Sequence, residues 1–209
     1  MSLVDDLFDF IGPRPVAAEE RSRSRVLLLS AFAALCALVL AAVWGIAAGS
    51  SLRHLAIGNA LTVPVLLMAS SAAALPAGVV VFRMTVPGAR GSHLVLGHAG
   101  ATFGAALVLA LLAPLVALFQ YSSAWAGPAV ALGSAVVGVL VGVLLLVRGL
   151  KKLSPDLDSR RKITAPAIVL CVLQLVALLQ LAAIAPHVMP QRSVLGRGID
   201  ALSPASSTP

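Results

Sequence analysis

Charge is scarce in this sequence. Asp, Glu, Lys and Arg make up 11% of its 209 residues, against roughly 25% in a soluble domain. That shortage excludes a disordered chain and a water-soluble enzyme core, both of which need abundant polar surface. Aromatic residues are few, at 4%, and cysteine occurs only at Cys36 and Cys171. Both cysteines lie inside apolar runs without a CxxC spacing, which excludes a disulfide scaffold or a thiolate zinc site and leaves them as small hydrophobes. Acidic residues are outnumbered, 8 against 15 basic, for a net charge of +7. In a soluble protein that excess would point to nucleic acid. Here the cations sit in short segments between apolar runs, so membrane orientation accounts for them and no nucleic-acid partner is expected.

What fills the sequence is hydrophobic, 59% of it, with a mean hydropathy of +1.01. A bilayer core of about 30 Å takes roughly 20 apolar residues as a helix. Five stretches of that length lack Asp, Glu, Lys and Arg: 26–48, 55–82, 94–119, 128–147 and 163–186. The predicted fold is therefore an all-α polytopic membrane protein, a bundle of five transmembrane helices preceded by a short N-terminal amphipathic helix. Residues 1–25 form the segment before the bundle, 26–186 the transmembrane domain and 187–209 a Ser/Pro-rich flexible tail. The N-terminal segment, acidic and then basic, has no short apolar stretch ending in a cleavage site, so the first span is expected to stay as an anchor.

Cytoplasmic loops carry the excess of Lys and Arg. With the N-terminus inside, twelve of the fifteen cations fall on cytoplasmic segments, among them Arg25, Arg83, Arg90, Arg148, Lys151, Lys152, Arg160, Arg161 and Lys162; only Arg53, Arg192 and Arg197 fall outside. The expected placement is a bacterial inner membrane, N-terminus cytoplasmic and C-terminus periplasmic or extracellular. The bacterial source follows from Ala/Leu/Val/Arg-rich usage typical of a GC-rich genome. The second run carries Pro64 and Pro76 and admits two forms, one bent span or a re-entrant hairpin broken near Ser70 and Ser71. The hairpin would turn the basic stretch 148–162 outward, against the charge rule.

Residues 2–11 place Leu3, Val4, Leu7, Phe8 and Ile11 on one helical face and Asp5, Asp6 and Asp9 opposite, an amphipathic pattern stopped by Gly12-Pro13. Anchoring in the bilayer interface and docking to a partner are both open for it. Leu7, Phe8 and Ile11, with Lys151, Lys152, Arg160, Arg161 and Lys162, are the candidate partner or lipid contacts.

The spans hold uncharged polar groups only: Asn59, Thr62, Ser70, Ser71, His98, Thr102, Gln174 and Gln180. A proton-coupled pump or charge-gated channel would place charges there. His98, with Thr102 one turn on, reads as an interhelical hydrogen-bonding group. A haem would need a second ligand at its depth, and no HxxxH or HExxH spacing exists, so no cofactor is expected. No GxS context or other catalytic constellation assembles. Gly97, Gly100 and Gly104 on the third span, and Gly138 and Gly142 on the fourth, form stripes that let backbones approach, within one chain or between chains. Gln174 and Gln180 lie about 120° apart around the fifth span and read as interhelical hydrogen-bonding groups.

The basic entry to the first span, the proline-bearing second span ending in AAALPAGVVVF (Pro76) and the third ending in LLAPLVALF (Pro114) together resemble the bacterial members of the Yip1-like family, over most of residues 3–150. The resemblance implies a five-helix membrane protein without known catalytic residues; eukaryotic relatives act in vesicle trafficking through partner proteins. The expected function is a non-enzymatic integral membrane scaffold or accessory subunit, its partners the lipid bilayer and other membrane subunits or copies of itself. The alternative is a small-solute or lipid transporter or pore that uses a proline-broken second helix.

Overall fold

The computed structural model describes residues 3–12, 23–86, 90–123, 125–152 and 162–188. They form six helices: α1 (Leu3–Ile11), α2 (Arg23–Ala48), α3 (Arg53–Thr85), α4 (Gly91–Ser122), α5 (Ala126–Lys152) and α6 (Thr164–Val188). Among the described residues there is no strand. The last five helices are long and apolar enough to cross a membrane, and the chain is a multi-pass membrane protein with the expected all-α architecture. Each expected span lies within or nearly within one helix, and α2 to α5 run a few residues beyond the apolar runs, because a helix goes on satisfying its own backbone in the headgroup region.

Pro64 and Pro76 do not divide the second run. Helix α3 is continuous over 33 residues through both, so the hairpin and the proline-broken helix are not the forms this segment takes. Each proline removes one N–H donor and frees the carbonyl four residues earlier, here Ala60 and Ala72; packing against neighbouring helices makes this tolerable in a bilayer. At 1.5 Å per residue α3 is about 50 Å long, longer than the hydrocarbon core, so it tilts or extends past the core.

Helix α4 packs along α2 on one side and α5 on the other, while α3 packs along α2 and α6. Three apolar clusters mark the ends. At one end Leu7 of α1 joins Val26, Leu29 and Ala33 of α2 and Leu96, Ala99 and Phe103 of α4. Also at that end, Phe82 of α3 and Val86 just after it meet Leu94 of α4, Leu146 and Leu150 of α5, Ile163 just before α6, and Ala167 and Leu170 of α6. At the opposite end Ala47, Ala48, Ala113 and Val116 pack with Trp44 and Val130. None of the described side chains of α6 takes part there. Only 11% of its most apolar stretch is buried, against 22–33% for the other four.

Candidate functional site

The polar groups of the spans do not converge on one point. Asn59 lies about two turns from the start of α3 and His98 about two turns from the start of α4, at opposite ends of the bundle and roughly 25 Å apart along the helix axes. Both side chains are buried, and Asn59 Oδ1 and His98 Nε2 have no hydrogen-bond partner among the described residues. Ser70 is fully buried and its hydroxyl donates to the Leu67 carbonyl at 3.0 Å. Thr102 donates to the His98 carbonyl at 2.9 Å, so the one-turn spacing yields a side-chain to backbone bond, not a bond between the two side chains.

Gln174 makes an interhelical bond, with a partner that spacing alone did not name. Gln174 Nε2 donates to Ser71 Oγ at 3.1 Å and ties α6 to α3. Gln180, by contrast, is exposed. A second interhelical bond escaped the sequence reading: the Trp44 indole N–H donates to Ser134 Oγ at 2.9 Å, and that hydroxyl donates to the Ala131 carbonyl at 2.7 Å. The signal was available, since an indole inside an apolar run needs an acceptor.

The glycine stripes work within the chain. A Cβ on Gly97 would meet Leu150 and Leu146, one on Gly138 would meet Leu109 and one on Gly142 would touch Ala105; Gly104 faces Leu145. Each glycine thus receives a side chain from the facing helix, and the α4–α5 contact is close because of it. Gly100 is buried on α4. A close backbone approach lies elsewhere, at Gly45, where a Cβ would stand 2.5 Å from the Asn59 carbonyl oxygen of α3.

Helix α1 docks on its own bundle. Leu7 is 1% exposed inside the α2–α4 cluster, so it is not free for a lipid or partner contact in this arrangement. Phe8 is half exposed and lays its ring edge-on to Phe103, centroids 6.2 Å apart. Asp6 is buried and pairs with Arg25 at 2.8 Å. Lys152 Nζ, at the end of α5, donates to the Gly12 carbonyl. Hence one helix end collects α1, Arg25, Arg83, Arg90, Arg148, Lys151, Lys152 and Lys162. Lys151 and Lys162 are exposed. Ile11 closes α1; Arg160, Arg161 and the tail from residue 189 lie outside the described residues.

No family model, curated protein or solved structure matches this chain. Among the described residues no three His, Cys, Asp or Glu side chains are grouped to hold a metal ion. The arrangement pins helices in pairs, through Trp44–Ser134 and Gln174–Ser71, and leaves α6 the least covered.

Proposed function

We propose that this chain is a non-enzymatic integral membrane scaffold or accessory subunit of a membrane protein complex. The observation that carries this reading is the exposure of α6, a spanning helix held to the rest mainly by α3 and carrying a polar amide on its uncovered side. Lipid covers apolar side chains without cost, but a polar group at membrane depth favours a protein neighbour. The proposal extends to a bacterial inner membrane with the basic end in the cytoplasm, and to kinship with Yip1-like proteins, on the charge asymmetry and the layout of spans and prolines. The cations of the basic end would contact anionic headgroups or an acidic partner segment.

Extraction from native membranes in mild detergent, followed by particle mass and the stoichiometry of co-migrating chains, tests the reading. Other chains at a fixed ratio are the expected result; a particle containing this chain alone would overturn it. A transport reading retains one observation in its favour, the buried and unpartnered Asn59 Oδ1 and His98 Nε2, although the discontinuous helix it called for is continuous.

A further inference from the structure

We propose that the Gln180 face of α6 is the contact surface between two copies of this chain, with the two Gln180 amides hydrogen-bonded to each other across a two-fold axis normal to the membrane. The inference rests on the reading of α6 as a helix presented for protein contact, and it names the occupant.

The two glutamines of α6 have opposite fates. Six residues separate them, about 120° around the helix. Gln174 shares its face with Ile163, Ala167 and Leu170, which pack into the bundle, and its amide reaches Ser71. Gln180 is exposed and makes no hydrogen bond to any described residue. Its face comprises Leu173, Val176, Ala177, Ala183 and Ile184, of which only Ala177 is partly covered. Gln180 lies six residues before the end of the apolar run at Pro186, about 9 Å along the axis. A glutamine side chain is too short to carry its amide that far to the headgroups, so the amide lies in the apolar region unless another protein group meets it.

The chemistry selects a second copy. An amide both donates and accepts, so it is complementary to itself. Copies of one chain insert with the same orientation, and a two-fold axis along the membrane normal sets residue i against residue i at equal depth. Gln180 of one copy thereby meets Gln180 of the other with no further requirement, whereas an unrelated helix would have to supply a polar group at that depth. Ala177 and Ala183 lie three residues to either side of Gln180 and let the two helices approach closely enough for short amides to meet.

The test uses the full chain in lipid vesicles, with self-association read by energy transfer as the protein is diluted in lipid. Gln180→Leu is expected to weaken dimerisation about 3- to 30-fold, the range corresponding to the roughly 0.6–2 kcal/mol of an interhelical hydrogen bond, while Gln180→Asn retains most of it. In a Cys36→Ala, Cys171→Ala background, oxidation should crosslink Ile184→Cys dimers and leave Leu175→Cys, exposed on the other side of α6, uncrosslinked. Unchanged dimerisation of Gln180→Leu, equal crosslinking at 184 and 175, or a wild-type chain that stays monomeric at every density would each overturn the inference. If the wild type is monomeric but Gln180→Leu loses a different chain from the native particle, this inference fails and the accessory-subunit reading survives. Should Gln180 mediate dimers while the native particle holds no other protein, the reverse holds.

Discussion

Asp6 on α1 and Arg25 at the entry of α2 form an ion pair of 2.8 Å in which the carboxylate side chain is 5% exposed and the guanidinium side chain 50%. The pair explains why an acidic face suits this amphipathic helix. Anionic headgroups would repel it, but the first turn of α2 and the end of α5 present cations, Arg25 to Asp6 and Lys152 to the carbonyl of Gly12. With Leu7 inserted between α2 and α4, α1 acts as a strap across the basic end.

Replacing Asp6 by Asn should loosen that strap without unfolding the bundle. Arg25 can turn its guanidinium to water, so the loss should be about 1 kcal/mol, close to that of a partly exposed pair. The undocked population of α1 rises accordingly by about fivefold. Amide exchange of residues 3–11 should accelerate by that factor while the spans are unchanged. Unaltered exchange in α1 would show that the strap holds without the Asp6–Arg25 pair.

At Gly45 α2 lies close against α3, and any Cβ there collides with backbone, not with a movable side chain. Gly45→Ala should therefore separate the two helices at a cost of about 1–3 kcal/mol, as overpacking does. A Cβ on Gly133 would meet nothing within 4 Å, so Gly133→Ala on α5 serves as the neutral control. Thermal unfolding in detergent compares them directly; equal midpoints would contradict the close approach.

The number and limits of the spans were legible because a bilayer imposes a minimum length of uncharged sequence, and five runs meet it. Proline made α3 ambiguous, since the freed carbonyls of Ala60 and Ala72 can be tolerated only through neighbours that a single run does not reveal. The destination of α1 was hidden for a similar reason: Lys152 reaches Gly12 across 140 positions, and amphipathicity says that a face will be covered without saying by what. For α6, the angle between Gln174 and Gln180 could be read from spacing alone. Which of them turns inward could not, because the helix is apolar on every side and has no periodic face to orient it.

The Gln174–Ser71 bond should appear as a coupling energy. Gln174→Leu and Ser71→Ala each remove it, and the double variant should be less destabilised than the sum of the singles by about 0.6 kcal/mol, the average for such bonds in a bilayer. Equilibrium unfolding of the four proteins measures this. Strict additivity would mean that apolar packing with Ala167 and Leu170 alone holds α6 to α3.

Flux separates the scaffold from the transporter. Vesicles containing the wild type should leak a panel of small solutes no faster than protein-free vesicles, and Asn59→Leu or His98→Leu should leave that unchanged. A wild-type flux abolished by either substitution would transfer the proposal to transport and give the two unpartnered polar atoms a role.

Orientation is open to direct labelling, and the structure supplies the positions. Ser51, in the turn between α2 and α3, and Lys151, near the end of α5, are both exposed and belong to opposite ends of the bundle. Helix α1 gathers at the Lys151 end with Arg25, Arg83, Arg90, Arg148, Lys152 and Lys162, and retention of Lys and Arg in the cytoplasm should hold that end inside. In a cysteine-free background, a membrane-impermeant maleimide added to intact cells should label Ser51→Cys and spare Lys151→Cys until the membrane is broken. The opposite pattern would place α1 and the basic end outside. In that case the contact with cytoplasmic anionic lipid would be lost, while the Gln180 contact, which depends only on two copies sharing one orientation, would be unaffected.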